Sequence, residues 1–243
     1  MAIVSFPIGA RRFAPSWWAT LLSIALCVLF VRLGEWQWHK GVYRQAEWDA
    51  FARGADAAVP ATDDLAQLPR FKHLRVEGRW DGAHQFLLDN RSHQGLPGYE
   101  VLTPLQLPGD RVLLVDRGWV PFTGSRARLP DITLGAAAVS LTGRLDNLPA
   151  GGLALGHAPP PGDAHWPKLT SFPTLAELAS ALKHPVQPWM LLLDASSGAG
   201  YVRQWQPPGL SPLRHFAYAI QWWGFAVTLA IIWGIMSARR QRP

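Results

Sequence analysis

The chain has 243 residues, of which 49% are hydrophobic and only 16% charged, with a formal net charge of +6. So low a charged share, against the ~25% usual for soluble domains, fits a membrane protein. The single cysteine, Cys27, excludes an intramolecular disulfide and a cysteine-based metal site, and reads as a small buried hydrophobe.

Residues 1–16 read as a cytoplasmic leader carrying Arg11 and Arg12. Trp17 to Leu33 follow as an almost uncharged run, roughly 25 Å long as a helix. Because Arg32 can snorkel, the helix can continue to Trp36, and 17–36 is expected to be the first transmembrane helix. The run exceeds the ~7–15 residues of a signal-peptide core and no small-x-small site follows it, so an uncleaved anchor is expected. Residues 34–57 look like a helical continuation, and the Ala- and Asp-rich stretch 52–64, with Pro60, like a linker.

From Phe71 the pattern changes. His73–Trp80 alternates apolar and polar residues, the mark of a half-buried strand. Further strands are expected at Gln85–Asp89, Tyr99–Leu107, Val112–Pro121, Val139–Leu145 and Met190–Asp194. Turn signals stand at Asp81-Gly82, Pro97-Gly98 and Pro108-Gly109-Asp110. Such close spacing predicts an antiparallel sheet curled into a small barrel. Thr174 followed by Glu177 predicts a capped helix, and the Gly-, Pro- and Ala-rich residues 149–168 a long loop.

The second long apolar run is Phe216 to Met236. With His215 at its start it makes a second transmembrane helix over 215–236, followed by a cytoplasmic tail, 237–243. Arg11 and Arg12 lie outside the first run, and Arg239, Arg240 and Arg242 outside the second. The positive-inside rule then places both termini in the cytoplasm, or in the matrix for a mitochondrial protein, and residues 37–214 across the membrane as a β-rich extracytoplasmic domain. The clusters are thus explained by topology, and no nucleic-acid-binding motif accompanies them. The leader lacks an Arg- and Ser-rich transit region, so a bacterial plasma (inner) membrane is expected, or the mitochondrial inner membrane for a eukaryotic chain. Trp17, Trp18, Trp36, Trp38, Trp222 and Trp223 flank the two runs as an aromatic belt at the headgroup level.

Enzyme chemistry finds little support. Ser92-His93 lacks a nucleophile elbow, and the histidines show no metal-ligand spacing. Asp89 and Asp116 each stand close to an arginine, Arg91 and Arg117, as an acid–base site or, the simpler reading, as ion pairs at strand ends. His215 differs by position, since a histidine at the mouth of a spanning helix needs a partner or a wet cavity. His215, Tyr218 and Trp222 share one helical face, offering an imidazole, a phenol and an indole in a column. A neutral imidazole is a common axial ligand of haem iron; the alternatives are an interfacial histidine at the helix start, or one paired with the first anchor. His39 sits at the same level as a second ligand or an exposed juxtamembrane side chain.

Four segments form a further pattern: Leu33-Gly34-Glu35-Trp36-Gln37; Leu88-Asp89-Asn90-Arg91 with Gly95-Leu96-Pro97-Gly98-Tyr99-Glu100-Val101-Leu102-Thr103-Pro104; Leu114-Val115-Asp116-Arg117-Gly118-Trp119-Val120-Pro121; and His215-Phe216-Ala217-Tyr218-Ala219-Ile220-Gln221-Trp222. Together they resemble the Surfeit-locus-one (Surf/Shy) family of cytochrome c oxidase assembly proteins. The chain departs from the family pattern at Lys40, where Arg is expected, at Leu213 and Arg214, where Asn often stands, and at Asp116, where Asn is common. The resemblance implies a non-enzymatic assembly factor that helps insert haem a into the haem-copper oxidase catalytic subunit. It implies transient binding of haem a at the outer membrane surface, with His215 as ligand to the haem iron. Tyr218 and Trp222 are expected to shape the pocket, with Trp36 and Gln37 closing its other side. Arg91 or Arg117 could meet the haem propionates. The partners implied are the oxidase catalytic subunit, haem a synthase and the lipid bilayer. A scaffold that never ligates haem, or a membrane-tethered enzyme, are the competing readings.

Overall fold

The computed structural model describes residues 6–8, 11–54, 57–62, 64–149 and 156–240. Parts of the expected leader, linker, long loop and tail, Arg242 among them, lie outside the described residues. In chain order the elements are β1 (Phe6–Ile8), β2 (Arg11–Phe13), α1 (Trp17–Arg53), β3 (Val59–Pro60), β4 (His73–Trp80), β5 (Phe86–His93), β6 (Leu96–Leu107), β7 (Arg111–Pro121), β8 (Ala138–Asp146), β9 (Lys168–Thr170), α2 (Leu175–Leu182), β10 (Val186–Leu193), α3 (Pro212–Ser237) and β11 (Ala238–Arg240). They divide into a helical unit, Met1–Asp49 with Pro207–Pro243, and a β-rich unit, Ala50–Gln206.

In the helical unit, α1 and α3 are each long and apolar enough to cross a membrane, at 37 and 26 residues. No proline interrupts α1, which ends where Gly54 follows Arg53. Pro212 opens α3, where its missing N–H costs nothing and its fixed φ suits a first turn. The helices run antiparallel along a seam whose spacing alternates three and four residues. Thr20, Cys27, Phe30, Gly34, Gln37, Gly41 and Arg44 of the first segment each meet the second. Trp233 Nε1 donates to Thr20 Oγ1 at 3.1 Å, and Cys27 Sγ donates to the Ala226 carbonyl at 3.6 Å. Nearer the other end, Arg44 Nη1 donates to the Pro208 carbonyl at 3.2 Å. Small residues permit this approach: Ala219 and Ala226 are buried on α3, and a Cβ at Gly34 or Gly41 would collide with the Trp223 or Phe216 ring. A three-stranded sheet, in the order β1-β2-β11, joins the chain before α1 to that after α3.

The β-rich unit is an eight-stranded sheet in the order β3-β4-β8-β10-β7-β6-β5-β9, with β4 also pairing β6 at Arg79↔Gln106 and Trp80↔Leu105. The pairings therefore run from β4 through β8, β10, β7 and β6 back to β4. The expected antiparallel sheet is mixed instead: β10 runs parallel to β7, β9 to β5 and β3 to β4. The long connection from β8 to β10, which includes α2, makes the parallel return feasible, since parallel neighbours need a crossover rather than a tight turn.

The turn between β5 and β6 also differs from expectation. Pro97 and Gly98 lie inside β6, and the chain reverses at Gln94 and Gly95, with φ of 51° and 82°. Two successive residues with positive φ are what a two-residue hairpin of matching twist requires. Gly98 serves close packing: a Cβ there would strike the Val120 carbonyl and the Trp119 indole.

Side chains from both faces of the sheet are buried. Leu113, Val115, Leu191 and Leu193 join Leu74 and Leu141 in one cluster, while Leu114, Met190 and Leu192 join Phe86, Leu88 and Leu102 in another. Burial on both faces explains why β7 and β10 carry unbroken apolar runs rather than alternation. Helix α2 has the expected capping box: Glu177 N donates to Thr174 Oγ1 at 3.2 Å, and Thr174 N to Glu177 Oε2 at 2.8 Å.

Candidate functional site

The seam of the helical unit brings together two of the residues singled out in the sequence. Gln37 of α1 and His215 of α3 meet through a 2.8 Å hydrogen bond between His215 Nδ1 and Gln37 Oε1. An amide oxygen only accepts, so Nδ1 is the donor and carries the proton. In the neutral ring Nε2 then keeps its lone pair. No described residue hydrogen-bonds Nε2. Both side chains are half-buried.

One heptad further along α3, Trp222 also lies in the seam. Its ring stacks on Phe30 at 5.7 Å and an interplanar angle of 29°, with Phe225 edge-on at 5.7 Å. Beside Gln37, the Trp38 ring lies 4.8 Å from that of Phe216 and 5.8 Å from that of Trp223. The His–Gln pair therefore sits in a seam lined with aromatic rings. Tyr218 and Trp36 take other positions, on the flanks, 45% and 54% exposed. His39 is exposed and bonds back to its own helix, Nδ1 lying 2.7 Å from the Glu35 carbonyl oxygen. Phe30 and Phe216 were not expected at the site, and Trp38 and Trp223 were expected only as part of the aromatic belt. The signal that could have found Phe216 and Trp223 is the seven-residue spacing of Gly34 with Gly41, which leaves room for an aromatic ring at each position.

The β-rich unit contains a second polar group, built from the motif segments on β5, β6 and β7. The expected ion pairs within those segments do not form. Arg91 pairs with Glu100 at 3.0 Å, and Asp89 with Arg126 at 2.6 Å. Asn90, at φ 59°, interrupts the alternation between Asp89 and Arg91, while Asp116 and Arg117 are strand neighbours whose side chains point to opposite faces.

Arg117 is buried among neutral acceptors. Its Nε donates to the Ala199 carbonyl at 2.6 Å and its Nη1 to Gln85 Oε1 at 2.8 Å, while the guanidinium carbon lies 4.9 Å from the Tyr201 ring centre. Burial lowers its pKa. Asp116 is fully buried, with Oδ1 accepting from Gly118 N at 2.9 Å and no hydrogen-bond partner for Oδ2 among the described residues. Burial pushes its carboxyl well above the ordinary 3.8, and the nearby Glu100 charge adds to the shift. Arg117 ties β7 to the neighbouring strand and loop, its Nε and Nη1 donating to protein acceptors.

No group of three or more His, Cys, Asp or Glu side chains among the described residues could hold a metal ion by itself. A single imidazole nitrogen is a different kind of donor, suited to a metal already held in a macrocycle.

No curated protein matches the chain. The model of the SURF1 family matches residues 24–227, most of the chain, including the His215–Gln37 pair and the β-rich unit. The chain belongs to the SURF1 family, known in general for cytochrome oxidase assembly.

Proposed function

We propose that this protein binds haem a transiently at the outer surface of the inner membrane and helps insert it into the catalytic subunit of a haem-copper oxidase. Helices α1 and α3 form a membrane hairpin with both termini in the cytoplasm. The β-rich unit, its strand circuit closed as a small barrel, lies outside. The observation that carries this reading is the His215–Gln37 hydrogen bond, which leaves Nε2 with its lone pair at the mouth of a spanning helix. Family membership supplies the oxidase context.

The donor chemistry fits the group. Haem iron supplies an acceptor for one neutral imidazole nitrogen, and His215 presents one. Trp222 and Phe30 provide an apolar wall on the membrane side. Tyr218 and Trp36, both exposed, offer aromatic surface to a planar ligand. The oxidase subunit receives the haem; haem a synthase is the corresponding source, and lipid surrounds the hairpin.

Detergent-purified protein from a haem a-producing host should show a haem spectrum that His215→Ala abolishes. An unchanged spectrum in the variant would remove His215 from the mechanism. If His215→Ala protein lacks haem yet still supports oxidase assembly, the working part is the β-rich unit, acting as a scaffold.

A further inference from the structure

We propose that Gln37 is the positioning residue for His215: it keeps the proton on Nδ1 and thereby makes Nε2 the nitrogen presented for ligation. The consequence for haem rests on the function proposed above; the tautomer itself does not. A neutral imidazole can carry its proton on either nitrogen, and the hydrogen bond made by one ring nitrogen sets the state of the other. Here that bond is 2.8 Å long and its acceptor is the side-chain oxygen of Gln37. An ordinary hydrogen bond of this kind favours the bonded tautomer by up to about tenfold.

The packing keeps Gln37 in place. Gly34 and Gly41 stand on either side of it along the seam, and the absence of a Cβ at each lets the Trp223 and Phe216 rings lie against α1. Trp38, the next residue, contacts both rings. The glutamine therefore projects between two aromatic contacts toward α3, where His215 meets it.

The identity of the acceptor also matters. Partners of metal-binding histidines are commonly carboxylates or backbone carbonyls, and they raise the basicity of the ligand. An amide orients the ring without placing a charge in the spanning segment, where charge is costly. It also leaves the imidazole a weaker ligand than a carboxylate partner would. Orientation without added basicity suits a site that has to hold haem and then give it up.

Nitrogen-15 NMR of histidine-labelled, haem-free protein in detergent tests the tautomer directly, with the His215 signals identified by their loss in His215→Ala. The expected result is an Nδ1–H, Nε2-bare ring in the wild type, a shift toward the other tautomer by about tenfold in Gln37→Leu, and retention in the near-isosteric Gln37→Glu. A wild-type ring protonated on Nε2, or a Gln37→Leu ring like the wild type, would overturn the inference. In haem-loaded protein, Gln37→Leu should weaken retention by about tenfold, while Gln37→Glu should keep haem and shift its midpoint potential to a more negative value. If the apo-protein shows the expected tautomers but no variant, wild type included, takes up haem, the haem reading fails and the positioning of His215 by Gln37 stands.

Discussion

The two units handle buried polar groups in opposite ways. In the helical unit the polar pair is Gln37 with His215, half-buried, and the second ring nitrogen has no hydrogen-bond partner among the described residues. In the β-rich unit the buried groups are ionisable, Asp116 and Arg117, and their bonding capacity is directed inward. Arg117 is caged by carbonyl, amide and hydroxyl oxygens; Asp116 bonds Gly118 of its own strand. The buried charge of Arg117 therefore marks structure in one unit, while a half-buried imidazole at the mouth of an apolar helix marks candidate chemistry in the other.

Arg117→Ala is the strongest test of that contrast. It should destabilise the β-rich unit by about 3 kcal/mol through lost charge-assisted hydrogen bonds, seen as faster amide exchange in β6 and β7. Haem binding at the seam should be retained, and its loss would break the contrast. In the helical unit, Gly34→Val places two methyl groups against the Trp223 ring. The expected cost is about 2 kcal/mol, read as a lower melting temperature in detergent together with lost haem retention.

Asp116→Asn should act in the other direction. The folded state raises the Asp116 pKa, so the acid contributes most to stability below pH 3.8, its ordinary value, and that contribution is lost as pH rises through the folded value. An amide keeps the acceptor for Gly118 N–H and has no charge to desolvate. The variant should therefore gain about 1 kcal/mol at neutral pH and weaken the loss of stability as pH rises above 3.8, measured by denaturation at a series of pH values. An unaltered pH profile would mean that Asp116 is not the group responsible. The smallest effect is expected for Tyr218→Phe, which keeps the ring on an exposed flank. Its stability should stay within about 0.5 kcal/mol of wild type by thermal melting.

Much of the architecture was legible from local pattern. The two apolar runs, the strand alternation of His73–Trp80 and the Thr174–Glu177 capping box depend on near neighbours, and each appears where the residues place it. Strand direction was not legible, because β7 and β10 are far apart in sequence and their apolar runs fit either direction. The β5–β6 turn was missed because Pro97-Gly98 is the more familiar turn signal. Gln94-Gly95 makes the reversal, and Gly98 is needed where the Trp119 ring lies on the strand.

The candidate site divides in the same way. His215 stood out from the sequence because an imidazole at the start of a long apolar run is chemically conspicuous wherever the chain folds. The sequence also placed Gln37 near the same level. That Gln37 bonds His215, that Trp222 stacks on Phe30 and that Trp36 and Tyr218 face outward are settled by the antiparallel register of α1 and α3. That register depends on which residues leave room for rings of the opposite helix, Gly34 for Trp223 and Gly41 for Phe216. By itself, then, the sequence determined which residues could do chemistry and where the apolar segments run. The tertiary structure alone decided which nitrogen of His215 remains available, because that depends on the acceptor a second helix brings to the first.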